Sequence, residues 1–205
     1  NSAVIDEIIT SNPMDKIKNE EKPKRRRTER AFLTIDELKI LSQTDFHNAT
    51  LKKAFLFSCF CGLRHSDIVA LTWGNLKKGK VGKMELHMTQ QKTQEILSLP
   101  LSKEALKQLP VRGKVPDTEK VFKGLISLGR TNEILPKWAA KAGIQKHITF
   151  HSARHTHATM MITLGADLYT VSKLLGHTNI QTTQIYAKIV DESKEKAIDL
   201  IPDIT

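Results

Sequence analysis

Four short segments carry the residues whose types and spacing could do chemistry. They are Gly62-Leu-Arg64-His-Ser-Asp67, Gln91-Lys92-Thr93, His151-Ser-Ala-Arg154-His-Thr156, and Leu175-Gly-His177 with Tyr186 further along. Together they offer two arginines, a lysine, histidines and a tyrosine. That set suits phosphoryl transfer to a protein side chain, where the attacking group must be oriented and charge on the non-bridging oxygens must be stabilised. Arginine does the second job well, because its planar fork donates two parallel hydrogen bonds and stays charged. A tyrosine hydroxyl is a weak nucleophile at its ordinary pKa near 10, so cationic neighbours that favour phenolate help it.

Taken singly, each residue has an ordinary reading. Arg64 directly after a helix stop can pair with Asp67 on the surface, and Lys92 in a turn can be a solvated loop lysine. His151 and Arg154, three apart at a helix start, can be a surface pair. His177 after Gly176 can sit on a helix dipole, and Tyr186 among Ile180, Ile185 and Ile189 can be a half-buried core tyrosine. The functional reading rests on their joint occurrence.

The elements that must position these residues are mostly helical. Thr34-Ile-Asp-Glu37 is a capping box opening the main domain. Helices are predicted at about 50–61 with Gly62 as stop, 66–71, 102–109, 131–142 with Pro136 early in it or kinking it, and 152–164. Further helices are predicted at 167–175 between Asp167 and Gly176, at 179–189 and at 191–200. Met84, Leu86 and Met88 alternate with polar residues, and Ile96 to Leu101 is a second apolar stretch, so a hairpin with Lys92 in its turn is expected. Gly79 and Gly82 point to an earlier turn and a third strand. The fold class is therefore mainly α with a small antiparallel β-sheet (α+β). Residues 1–12 read as a helix end, with Val4, Ile5, Ile8 and Ile9 on one stripe and Asn12-Pro13 as its stop. Residues 13–30, with Lys24-Arg-Arg-Arg27, are too charged to bury a core and read as a basic linker. Residues 31–205 form the main domain, and 1–12 the tail of a preceding one.

The 205 residues carry a formal charge of +10, from 32 Lys and Arg against 22 Asp and Glu. Such a surplus favours a polyanionic partner, since each cation on a phosphate releases condensed counterions. No apolar run is long enough to span a bilayer, and the N-terminus is no signal peptide, so no membrane partner is expected. Cys59 and Cys61 lie inside an apolar run at a spacing that disfavours a mutual disulfide; they read as reduced core residues of a cytosolic protein.

In order along the chain, Cys61-Gly-Leu-Arg-His-Ser-Asp-Ile68, Thr149-Phe-His-Ser-Ala-Arg-His-Thr-His-Ala-Thr159 and Leu174-Leu-Gly-His-Thr-Asn-Ile-Gln-Thr-Thr-Gln-Ile-Tyr-Ala187 resemble the catalytic domain of the tyrosine recombinase (integrase) family, particularly integrases of mobile elements. The resemblance runs from about Arg30 to Ala197. It implies that Arg64, Lys92, His151, Arg154 and His177 form the catalytic set around the nucleophile Tyr186, with Asp67 supporting Arg64. It implies strand cleavage through a 3′-phosphotyrosyl link, with Lys92 as general acid, His151 managing the tyrosine proton, and no metal or nucleotide cofactor. Its implied partners are double-stranded DNA, a homo-tetramer on paired recombination sites, and accessory DNA-bending proteins. A cytoplasmic, nucleoid-associated location and a preceding core-binding domain are implied likewise.

Other readings stay open at this point. A type IB topoisomerase uses similar chemistry to relax DNA as a monomer, and a basic helical module can bind DNA without cutting it. A metal-dependent hydrolase could use His151, His155 and His157, although no carboxylate accompanies them as in H-E-x-x-H. On the integrase reading His155 and His157 are packing residues or supports behind the catalytic groups near Arg154, and Tyr169 is structural within a short helix.

Overall fold

The computed structural model describes residues 2–18, 21, 31–79 and 82–186. In chain order its elements are α1 (Ser2–Ile5), α2 (Ile35–Gln43), α3 (Ala49–Cys61), α4 (His65–Ala70), β1 (Leu76–Lys78), β2 (Met84–Thr89), β3 (Ile96–Pro100), α5 (Lys103–Lys107), α6 (Leu128–Lys141), α7 (Phe150–Thr163) and α8 (Leu168–Leu175). Single 3-10 turns occur at Pro13–Lys16, Trp73–Asn75, Ile180–Thr182 and Gln184–Tyr186. Among the described residues no helix is long and apolar enough to cross a membrane.

The helix boundaries follow from local chemistry. The amide of Glu37 donates to Thr34 Oγ1 at 3.2 Å, and the amide of Thr34 donates to Glu37 Oε2 at 2.7 Å, so the capping box closes both ways. Glu37 also receives Lys146 Nζ at 2.7 Å, which ties α2 to the loop before α7. Asn48 caps α3 through the amide of Leu51, and Asp167 caps α8 through that of Thr170.

α3 is apolar almost all round and runs through the core, against α7 and α5. Leu51, Ala54, Phe55 and Phe57 are fully buried. Phe55 meets Trp138 of α6 and Phe150 of α7 edge-on, with ring centroids 6.0 and 5.9 Å apart. Cys59 and Cys61 are buried and unpaired, and burial pushes the Cys61 thiol up to about 12. The amide of Leu33 donates to Thr156 Oγ1 at 2.9 Å, pinning the start of the domain onto α7.

The sheet is an antiparallel meander in the order β1-β2-β3, with Leu76 opposite Leu86 and Leu86 opposite Leu99. Leu86, Met88, Leu97 and Leu99 are buried while their neighbours along the strands are more exposed. This one-faced alternation fixes the register and therefore where the β2–β3 turn projects.

Three expectations need correction. The stripe at residues 1–12 is helical only to Ile5, and Ile5 and Ile8 are largely exposed, because four helical residues with no buried partner face are too few to sustain a helix. The described part of 179–189 is two 3-10 turns rather than an α-helix; Ile180, Thr182, Thr183 and Ile185 are β-branched, and the amide of Thr183 donates to the carbonyl of Ile180. Pro136 sits inside α6 instead of near its start. The Lys24–Arg27 run and the helix expected at 191–200 lie outside the described residues.

Replacing Phe55 with Ala is expected to lower the unfolding free energy by about 3–5 kcal/mol. The check is the urea midpoint at unchanged slope, with exposed Lys39→Ala as the comparison, expected within about 0.5 kcal/mol of wild type.

Candidate active site

Arg154 stands at the centre of the site, 3% exposed. Its Nη1 donates to the carbonyl of Gly62 at 2.7 Å and its Nη2 to the carbonyl of Leu175 at 2.6 Å. These carbonyls belong to the C-terminal ends of α3 and α8, where unsatisfied carbonyls and the helix dipole both favour a cation. Each helix ends in a left-handed glycine, Gly62 at φ 73° and Gly176 at φ 64°. A Cβ on Gly62 would lie 2.8 Å from Leu175 Cδ2, and one on Gly176 would lie 2.9 Å from the amide of Gln90. Burial, reinforced by the nearby charge of Arg64, brings the Arg154 guanidinium down to about 10. It remains a cation at neutral pH.

Arg64 precedes α4, and its side chain is 16% exposed. Its Nη1 is buried, lies 3.9 Å from Asp67 Oδ2, and has no hydrogen-bond partner among the described residues. Asp67 is fully buried and holds two elements together: Oδ1 accepts from the amide of Gln91 at 2.8 Å, and Oδ2 accepts from the amide of Arg64 at 3.3 Å. It thereby ties the turn carrying Lys92 to the helix carrying Arg64. Gln90 adds a second tie, donating to the carbonyl of Leu175 at 3.2 Å while accepting from Thr93 Oγ1 at 2.9 Å. Lys92 is exposed on this turn, where Gln94 takes a positive φ of 56° to close it. A cleft of about 220 Å³ opens here, lined by Arg64, His65, Ser66, Lys92, Leu128 and His151.

His177 follows the α8 cap, and its Nδ1 lies 2.8 Å from Thr183 Oγ1. Burial, with the positive charges of Arg154, Arg64 and His151, pulls its pKa down to about 4. His157 is buried against the carbonyl of Cys59, 3.3 Å from Nδ1, and burial likewise brings it to about 4. That bond turns His157 to the α3 side of α7, away from any joint metal site with His151 and His155.

Tyr186 is 5% exposed and packs in a small cluster with Ala158, Ile162, Val171 and Leu175. Its hydroxyl lies 2.6 Å from Nδ1 of His155, itself 4% exposed. The rings of His151 and His155 meet edge-on, with centroids 4.6 Å apart. Tyr169 is 61% exposed on α8 beneath the ammonium of Lys173, so it is a surface residue rather than a structural one.

All six residues of the expected catalytic set thus lie on elements that converge. Arg64, Lys92 and His151 line one cleft, and the charge of Arg154 acts on Tyr186 and on His177. Sequence reasoning left His155 as a packing or supporting residue near Arg154 and missed that it sits on the tyrosine hydroxyl. The available signal was its place one turn after His151 on the same face of α7. It also missed Gln90, which no motif singles out.

Residues 31–193 match the phage integrase family. A tyrosine recombinase of Pseudothermotoga lettingae is 30% identical over 196 residues, covering 94% of this chain and 67% of that protein. A tyrosine recombinase XerC of Caldanaerobacter subterraneus subsp. tengcongensis is 30% identical, covering 95% of this chain and 57% of that one. Among solved structures, a lambda integrase dimer bound to a core site superposes with a TM-score of 0.66 at 21% identity, over 90% of this chain and 67% of that one. The chain belongs to the phage integrase family, and its fold is that of tyrosine recombinase catalytic domains. It spans about two thirds or less of the length of these curated relatives.

Arg154→Lys is expected to destabilise the domain by about 1–3 kcal/mol, because a single ammonium cannot fork to both carbonyls and one charge-assisted hydrogen bond is lost; urea unfolding reads this. A second expectation concerns pH. His157 and His177 stay neutral in the native protein down to about pH 4, whereas in the unfolded chain they take up protons near the ordinary 6.5. The unfolded state therefore binds more protons between these values, so stability is complete above about pH 6.5 and falls as pH drops toward 4. Urea midpoints across this range measure the slope, which His157→Gln should flatten.

Proposed function

We propose that the chain is the catalytic part of a site-specific recombinase that breaks and rejoins double-stranded DNA through a 3′-phosphotyrosyl link to Tyr186, integrating or excising a mobile element. The observation that carries this reading is the excess of positive charge held around the tyrosine. Arg64 and Arg154 lie close enough to act on one another electrostatically, and Arg64 keeps a buried Nη1 with no hydrogen-bond partner among the described residues. Such an arrangement is costly by itself and is relieved by an anion. A phosphodiester is an anion of suitable charge, and the basic chain as a whole favours DNA. The mobile-element role and the DNA partner are supported by family membership.

In this reaction Tyr186 attacks phosphorus and the 5′-oxygen leaves. Arg64 and Arg154 hold the non-bridging oxygens, aided by His177 as a neutral donor, since its pKa is far below 7. In the neutral tautomer in which Thr183 Oγ1 donates to Nδ1, the His177 proton sits on Nε2, where it can meet a phosphate oxygen. Lys92 gives its proton to the leaving oxygen. His151, at the cleft, adds a further donor. The bond energy stays in the phosphotyrosine, so a 5′-hydroxyl of another strand can reverse the step. Strand exchange between two sites calls for four protomers.

The test uses duplex selected by binding from a randomised pool, nicked near the cleavage position so that the short 5′-hydroxyl fragment diffuses away. A covalent band on denaturing gels is expected for wild type, unchanged by chelator, and absent for Tyr186→Phe. A band surviving in Tyr186→Phe would move the nucleophile elsewhere, with exposed Tyr169 the first candidate. Cleavage lost in chelator and restored by a divalent metal would refute the mechanism.

A further inference from the structure

Whatever displaces the 5′-oxygen must first lose a proton from the Tyr186 hydroxyl, and an acceptor must stand within about 2.6–3.2 Å of it. His155 places Nδ1 2.6 Å from the oxygen, and in the tautomer that carries its ring proton on Nε2 this nitrogen accepts from the hydroxyl. Both side chains are nearly buried, so bulk water has little access to the pair. A buried tyrosine hydroxyl needs only some hydrogen-bond partner, and a backbone carbonyl would serve that purpose. Here the partner is an imidazole, the side chain best suited to exchanging a proton near neutral pH. The ring is held from two sides, edge-on to His151 at 4.6 Å and tilted against Tyr186 at 5.8 Å. The charge of Arg154, next to it on α7, interacts with Tyr186. His151, by contrast, is exposed at the mouth of the cleft beside Arg64 and Lys92.

We propose that His155 is the catalytic residue that takes the proton of Tyr186, leaving His151 to the phosphate. This rests on the reading of Tyr186 as nucleophile. As the bond from Tyr186 Oη to phosphorus forms, the phenol proton passes to His155 Nδ1. The bond from phosphorus to the 5′-oxygen breaks, and that oxygen takes a proton from Lys92. In the reverse step a 5′-hydroxyl attacks and gives its proton back to Lys92, the phosphotyrosyl bond breaks, and His155 returns its proton to the phenolate.

The experiment is single-turnover covalent attachment on the nicked duplex, made once with an ordinary phosphodiester and once with sulfur at the bridging 5′ position. A thiolate leaves without needing a proton, so sulfur relieves a missing general acid only. His155→Asn keeps a hydrogen-bonding group near the position of Nδ1 but cannot act as a base; His155→Gln is the second variant should the first fail to fold. Both are expected to bind DNA like wild type and to slow attachment by about 100-fold on either substrate. Lys92→Ala should be slow on oxygen and restored by sulfur. Attachment by His155→Asn or a folded His155→Gln within about threefold of wild type would reduce His155 to a positioning hydrogen bond and overturn the proposal. Restoration of the His155 variants by sulfur would put the residue at the leaving group instead, which also overturns it. A covalent band in Tyr186→Phe would remove the nucleophile reading itself, a failure separate from either of these.

Discussion

A guanidinium buried without a carboxylate is the constraint on which this site depends. Removing Arg154 from water costs several kcal/mol unless its donors are met. Two of them are met by the carbonyls of Gly62 and Leu175, at the ends of two different helices. A carboxylate in that place would satisfy the hydrogen bonds but cancel the charge. Helix-end carbonyls bring only partial negative charge, so the cation keeps its field for an incoming anion. Several otherwise unrelated features follow. α3 and α8 must both end at Arg154, each must turn away through a left-handed glycine, and neither glycine has space for a Cβ. Gln90 then shares the Leu175 carbonyl and brings the sheet to the same point.

Asp67 is the carboxylate in the cluster, and its geometry explains why it does not quench Arg64. One oxygen is taken by the amide of Gln91 and the other by the amide of Arg64 itself, so the guanidinium is left at 3.9 Å. Its work is mechanical as much as electrostatic. Through it the β2–β3 turn is fixed relative to α4, and Lys92, exposed at the end of a long flexible stem, gains a fixed base from which to reach the cleft.

Much of this was legible in the sequence because it is locally encoded. The Thr34–Glu37 box, the stop glycines and the alternation of Met84, Leu86 and Met88 each act within a few residues, and the elements appear where those signals put them. The approach of one element to another was not legible. His151 and His155 share a face of α7, and only the path of the chain from Gly176 to Tyr186 decides which of them meets the hydroxyl. That path is itself nonlocal: Thr183 is buried and its side chain meets His177, in a stretch of β-branched residues where helical periodicity was misleading. The stripe at Ile5 and Ile8 failed for the same reason in reverse, since periodicity shows a face able to be buried and says nothing of what would bury it.

The charge pattern divides the labour of the proposed chemistry. Arg154, though brought down to about 10, is a cation at neutral pH, so its stabilisation of the phosphate there does not depend on proton exchange. The same field keeps His177 neutral, adding its effect to that of burial. A neutral imidazole can still donate one hydrogen bond to a phosphate oxygen without adding a third fixed charge to the repulsion already present. Proton movement is then confined to Tyr186 with its histidine and to Lys92, which act on the attacking and leaving oxygens respectively. Because the reaction is reversed by a chemically equivalent hydroxyl, both proton positions must be regenerated at every step. A site whose hold on the phosphate is made by groups other than the two proton carriers lets them do so without disturbing it.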